Sequence, residues 1–267
     1  MLRRRLGRDF GRQALPPDAQ GEQAGRADVM EALLRCYAEE DAATGGGGGG
    51  GRKIIRVEGA PVTAPLLERL LTEMRSWSGS LTRNRRERPS IKAESYMILR
   101  SPSDFAGHEH SAKATLAAAK LKENAQLWEL AQLAMLQVDT AFAEQYTAVA
   151  FTYNFEGSPH IDKQNTGPFY GLSLGDFPEG QGGIRVECSP RLVAEVNTRH
   201  RLGKVDGRYP HWVAPYKAGA ERYSVIYYMT AGAFAEPGPA VFSLPLQYSR
   251  SDDDCASKED EEEHARQ

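Results

Sequence analysis

Apolar residues recur along this chain with two different periods, and the change between them divides it. Over 65–77, Leu66, Leu67, Leu70, Leu71 and Met74 fall on one face at helical spacing. A second stretch, 122–146, keeps that spacing with Leu127, Leu130, Ala134, Val138 and Phe142. From Thr147 the period drops to two, beginning with Val149, Phe151 and Tyr153. Further strands are predicted at 169–174, 183–188, 192–196, 209–213, 222–230 and 240–246, with Gly and Pro punctuating the gaps and Gly175, Gly182 and Gly183 marking turns. A short β-branched strand at 53–57 precedes the first helix. The pattern predicts a mainly β domain with flanking helices, an α+β barrel or sandwich whose helices pack on one outer face of a sheet.

The ends of the chain lack this patterning. A short helix is predicted over 27–40, where Val29, Leu33, Leu34 and Tyr37 follow Asp28, and the glycine run Gly45 to Gly51 then cannot pack. Residues 1–51 are therefore read as a basic, disordered tail with a linker. Residues 52–249 form the folded domain, with its β core at about 147–248, and 250–267 form a disordered acidic tail carrying Asp252 to Asp254 and Glu259 to Glu263. The cluster Arg3, Arg4, Arg5, Arg8 and Arg12 fits a transit peptide, a nuclear localisation signal or a plain solvated tail.

Composition narrows the function classes. The 33 basic and 36 acidic residues leave a net charge of −3, so no global field for a polyanion exists and any nucleic-acid contact must be local. The dense basic run inside the domain, Arg83, Arg85, Arg86 and Arg88, is the candidate for phosphate contacts. Cys36, Cys188 and Cys255 lack the spacing of a disulfide framework or a zinc site, which points to a reducing compartment. No apolar run approaches the ~20 residues of a membrane span, and the expected location is intracellular: nucleus or cytoplasm, or an organelle if the N-terminal arginines are a transit peptide.

The candidate chemistry lies in the β region. His160 and Asp162 alternate with Ile161 and so share one strand face, and His211 offers a further nitrogen. Two histidines and one carboxylate are the facial set that holds non-haem Fe(II) while leaving positions open. Arg222 and Ser224 likewise share a face, and a guanidinium fork with a neighbouring hydroxyl suits a carboxylate. His200 is a rival third ligand but is read as a loop residue, as are His108 and His110.

These residues resemble the Fe(II)/2-oxoglutarate-dependent dioxygenases over 147–231, in the pattern H-x-D, distant His, Arg-x-Ser. The resemblance implies a double-stranded β-helix, Fe(II) on His160, Asp162 and His211, and 2-oxoglutarate with its far carboxylate on Arg222 and Ser224. O2 would be the oxidant, and ascorbate is an additional co-substrate or reductant in some relatives. The run from His160 through Asn165 to Pro168, followed by Leu174-Gly175-Asp176-Phe177 and Gly182-Gly183, resembles the TET and base-J-type nucleobase oxygenases and their algal relatives. That branch implies a modified base in nucleic acid, flipped into the pocket. A protein side chain or small metabolite is the alternative substrate, and a catalytically silent binding barrel the alternative class. A carboxylate at Asp162 favours hydroxylation over halogenation. Tyr153, Asn154 and Asn165 are candidates for substrate or co-substrate contacts.

Overall fold

The structure is a computed structural model that describes residues 53–80, 91–188, 192–235 and 240–242. The predicted 27–40 helix, the glycine run, the arginines at 83–88 and both tails lie outside the described residues. No described helix is long and apolar enough to cross a membrane.

Two sheets face each other. The smaller has the strand order β1 (Lys53–Glu58), β7 (Leu192–Asn197), β6 (Ile184–Glu187), β9 (His211–Val213). The larger runs β11 (Val241–Phe242), β8 (Arg201–Val205), β5 (Phe169–Leu174), β10 (Tyr223–Tyr228), β4 (Ala148–Tyr153), β3 (Ser95–Arg100), with β2 (Ala60–Pro61) also paired to β8. A bridge between His160 and His211 adds one more segment beside β9. From β4 onward the chain passes between the sheets, so that β10, late in the sequence, pairs antiparallel with both β4 and β5. This winding is a double-stranded β-helix.

Burial on both faces of the larger sheet explains why its strands read as nearly continuous apolar runs. Tyr223, Val225 and Tyr227 of β10 join Val149, Phe151, Leu172 and Leu174 in a core under the helices. Each large side chain buried there contributes about 1.5–3 kcal/mol. The alternate positions Ser224, Ile226 and Tyr228 face the other sheet and line a cavity between the two.

The helices pack on one outer face of the larger sheet, but the single helix predicted at 122–146 is broken. Its span holds α3 (Ala125–Leu136) and α4 (Thr140–Ala143); α2 (Ala112–Glu123), almost all of it before residue 122, lies outside the prediction, and α1 (Ala64–Gly79) closely matches its own. Asn124 ends α2, with its side-chain amide donating to the Lys120 carbonyl at 2.8 Å, and α3 starts from the same residue. Short polar side chains that bond their own backbone favour such boundaries. Asp139 caps α4 by accepting from the Phe142 amide at 2.9 Å.

Three strands were not predicted: the two-residue β2, β3 and β8. β3 has no polar–apolar alternation because nearly all of it is buried. β8 carries Gly203 and two cations, and that glycine meets the facing sheet: a Cβ there would lie 2.6 Å from the Val196 side chain. The predicted 240–246 strand is described only at β11.

Candidate metal and carboxylate site

The bridge that joins His160 to β9 also brings two imidazoles together. His160 N donates to the His211 carbonyl at 3.0 Å and His211 N to the His160 carbonyl at 2.9 Å. The ring centroids are consequently 4.3 Å apart. Each Nδ1 faces a backbone carbonyl, Ser158 O at 2.7 Å for His160 and Tyr209 O at 3.0 Å for His211. A carbonyl only accepts, so the proton sits on Nδ1 and each Nε2 keeps its lone pair for a ligand.

Asp162 completes the group. Its amide donates to Gly207 O at 2.8 Å. One carboxylate oxygen lies 3.7 Å from His160 Nε2 and the other 3.8 Å from His211 Nε2. These separations are too long for hydrogen bonds. Ligand atoms of the three residues all lie within 4.8 Å of one another, and among the described residues they are the group that could hold a metal ion. Burial pushes the His211 pKa below the ordinary imidazole value, against the opposing pull of Asp162, so that this imidazole is neutral at neutral pH. Two neutral nitrogens, one carboxylate and a gap between them fit a divalent ion such as Fe(II).

The same cavity, about 830 Å³, is lined by Arg222, Ser224 and Thr198 as well as by the triad. Arg222 is buried, with Nε and Nη2 donating to Gly182 O at 3.1 and 2.6 Å and Nη1 to Ser224 Oγ at 2.7 Å. The rings of Phe177 and Tyr216 lie 5.7 and 5.3 Å from its guanidinium carbon. Among the described residues no carboxylate pairs with it. Burial lowers its pKa to about 10, which still leaves it charged at neutral pH. A buried charge without a counterion is costly, so this guanidinium calls for an anion. Gly182, at φ +66, gives it room, since a Cβ there would stand 2.7 Å from Nε.

The remaining sequence candidates fall into separate places. Asn165 is buried and lines the cavity, with its Nδ2 donating to Asp162 Oδ2 at 2.8 Å. Tyr153 does not line it but stacks on Tyr223, with ring centroids 4.7 Å apart on the helix side of the sheet. Asn154 is also outside the cavity lining; its amide bonds Glu94 at 2.8 Å and its oxygen accepts from the Arg222 backbone at 3.0 Å. It brackets the start of β10. His200 sits in a turn at φ +59, away from the triad, and His108 and His110 are exposed. Sequence reasoning missed Gly207, whose Cβ would lie 2.6 Å from Asp162 Oδ2, and the Phe177 and Tyr216 rings around Arg222.

The two sheets wind as a double-stranded β-helix and carry a His-Asp-His group able to hold a divalent ion. No family model and no curated protein matches the chain. Similar solved structures include NgTET1 in complex with 5mC DNA, 12% identical over 78% of this chain and 93% of that chain, with a TM-score of 0.40. A Pseudomonas putida prolyl-4-hydroxylase is 15% identical over 64% of this chain and 89% of that one, at a TM-score of 0.38. JOX2 in complex with 2OG, Fe and JA is 12% identical over 73% and 79%, at 0.37.

Proposed function

We propose that the protein is an Fe(II)- and 2-oxoglutarate-dependent dioxygenase that hydroxylates a C–H bond. One O2 and one 2-oxoglutarate are consumed, giving succinate, CO2 and the hydroxylated product. The observation that carries this reading is the buried Arg222, which pairs with no carboxylate among the described residues and shares one cavity with the His160, Asp162 and His211 donors. A dicarboxylate spans those two needs, with its keto-acid end at the metal and its far carboxylate on Arg222 and Ser224.

His160, Asp162 and His211 would hold the iron, which when bound supplies the activation of O2. The chain's own work is placement. Arg222 and Ser224 orient the co-substrate through charge-assisted bonds. The sheet carrying β10 and the facing β6 supply the two walls of the cavity.

The finer reading is oxidation of a modified base in nucleic acid. It is supported by the run from His160 to Pro168, and by a cavity whose lining combines Tyr96, Phe155 and Tyr228 with Lys92 and Lys163. Flat aromatic surfaces suit a flipped base and cations suit its phosphates. Lys92 lies 3.5 Å from Glu156, however, which weakens its part in phosphate contact, and a protein side chain or small metabolite is the second reading.

The decisive measurement is succinate formation against 2-oxoglutarate concentration with Fe(II) in excess. Each lost charge-assisted bond costs about 1.5–3 kcal/mol, so Arg222→Ala should raise the concentration required by roughly ten- to a hundredfold or more. Arg222→Lys should recover only part, because an ammonium lacks the planar fork. An unchanged dependence in the Ala variant would remove the co-substrate assignment.

A further inference from the structure

Asn165 stands three positions after Asp162 and is a sequence candidate for substrate or co-substrate contacts. Its geometry points to a different task. We propose that Asn165 is a positioning residue that locks the Asp162 carboxylate in one orientation between the two histidines, with Oδ1 3.7 Å from His160 Nε2 and Oδ2, the oxygen the amide holds, 3.8 Å from His211 Nε2. The proposal rests on the metal-site reading above.

Asn165 is only 6% exposed, and its Nδ2 donates to Asp162 Oδ2 at 2.8 Å. An amide nitrogen committed in this way directs that donor at the carboxylate rather than into the cavity. Both ends of the short loop are pinned to other strands or loops. Asp162 N donates to Gly207 O at 2.8 Å, and Thr166 N donates to Met229 O at 3.0 Å. The spacing between the carboxylate and the amide is therefore set by backbone bonds and does not depend on exposed Lys163 and Gln164 between them.

Gly207 also packs close to Oδ2 and leaves it room, since a Cβ there would come within 2.6 Å of it. Asp162 itself is partly open, at 31% side-chain exposure. Without the amide its carboxylate could rotate, or offer both oxygens to an ion, and so occupy a position that co-substrate or oxygen needs. The neutral amide fixes the carboxylate without adding a competing charge. Partners of this kind typically change metal affinity ten- to a hundredfold when removed.

The test uses the full chain loaded with Co(II), read by calorimetric titration and by the visible spectrum of the bound ion, without co-substrate. Asn165→Ala should weaken Co(II) binding by roughly ten- to a hundredfold and alter the spectrum. Asn165→Gln, which keeps a donor on a longer arm, should recover part of both. Near-UV circular dichroism checks folding, and if the Ala variant is unfolded, Asn165→Ser, too short to reach the carboxylate, carries the same expectation. Wild-type affinity and spectrum in the Ala variant, with only a higher KM for the oxidised substrate, would overturn the proposal and make Asn165 a substrate contact. Wild-type protein that binds no Co(II) would overturn the metal-site reading itself, whereas tight wild-type binding matched by every variant would overturn the Asn165 proposal alone.

Discussion

His160 and His211 illustrate how a single pair of backbone hydrogen bonds can set up chemistry. Because each residue donates to the other's carbonyl, the imidazoles are held together by strand pairing and not by any attraction between them. Replacing a ring should then remove the ligand and spare the scaffold. His160→Ala should abolish Fe(II) or Co(II) binding and leave the thermal transition nearly unchanged, since its side chain is 42% exposed. His211→Ala should lose the metal equally but cost more stability, roughly 1–2 kcal/mol, because the ring is buried and packs 5.2 Å from Phe169. Metal titration and thermal unfolding of both variants check this pair of outcomes. Full iron-dependent turnover by either would remove it from the ligand set.

Helices and sheet are joined by a small polar knot at Asp139. Its carboxylate caps α4, accepts from the Tyr170 hydroxyl at 2.7 Å, and lies 3.2 Å from Lys204 Nζ on β8. Asp139→Ala should cost about 2–4 kcal/mol, combining a lost cap with lost bonds to a charged group. Burial alone would raise its pKa, but the Phe142 amide, the Tyr170 hydroxyl and the Lys204 ammonium outweigh it and hold the group below its ordinary value. A carboxylate depressed in this way stabilises the fold fully above its unfolded pKa of 3.8 and loses that contribution as pH falls through the lower folded value. Urea unfolding at neutral pH and near pH 3 should accordingly show the wild-type advantage shrinking on acidification. A gap that stays constant would mean that Asp139 acts through packing alone. Asn124 shows why such elements were hard to delimit: it ends α2 and begins α3, a boundary marked by the bond from its amide to Lys120 O.

Across the molecule, the winding of the two sheets places a metal-ligand set and a buried cation in one cavity, while the substrate class depends on what reaches its mouth. If nucleic acid does, the arginines at 83–88 are the local source of phosphate affinity. Arg85→Ala combined with Arg86→Ala should weaken oligonucleotide binding and flatten its dependence on salt by roughly one unit of slope per lost contact. Succinate formation without substrate should persist. Wild-type protein that binds no oligonucleotide at low salt would shift the reading to a protein side chain or small metabolite.

Much of the site was legible in the sequence because its rules are short-range. Alternation places His160 with Asp162 and Arg222 with Ser224 on shared faces, and side-chain chemistry says what each pair suits. The change of period marked helices before strands for the same reason. Tertiary structure decided the rest. Whether Arg222 finds a carboxylate, whether the Asn165 amide turns to Asp162 or to substrate, and why Gly203 and Gly207 must lack side chains all depend on residues far away in the chain. β3 and β8 escaped prediction on the same ground: burial on both faces erases the alternation that exposes a strand to sequence reading, and a glycine kept for close sheet contact looks like a turn. Local preference sets what a segment can become, but only packing between distant segments determines which polar groups are left in need of a partner, and those are the groups that bind ligands.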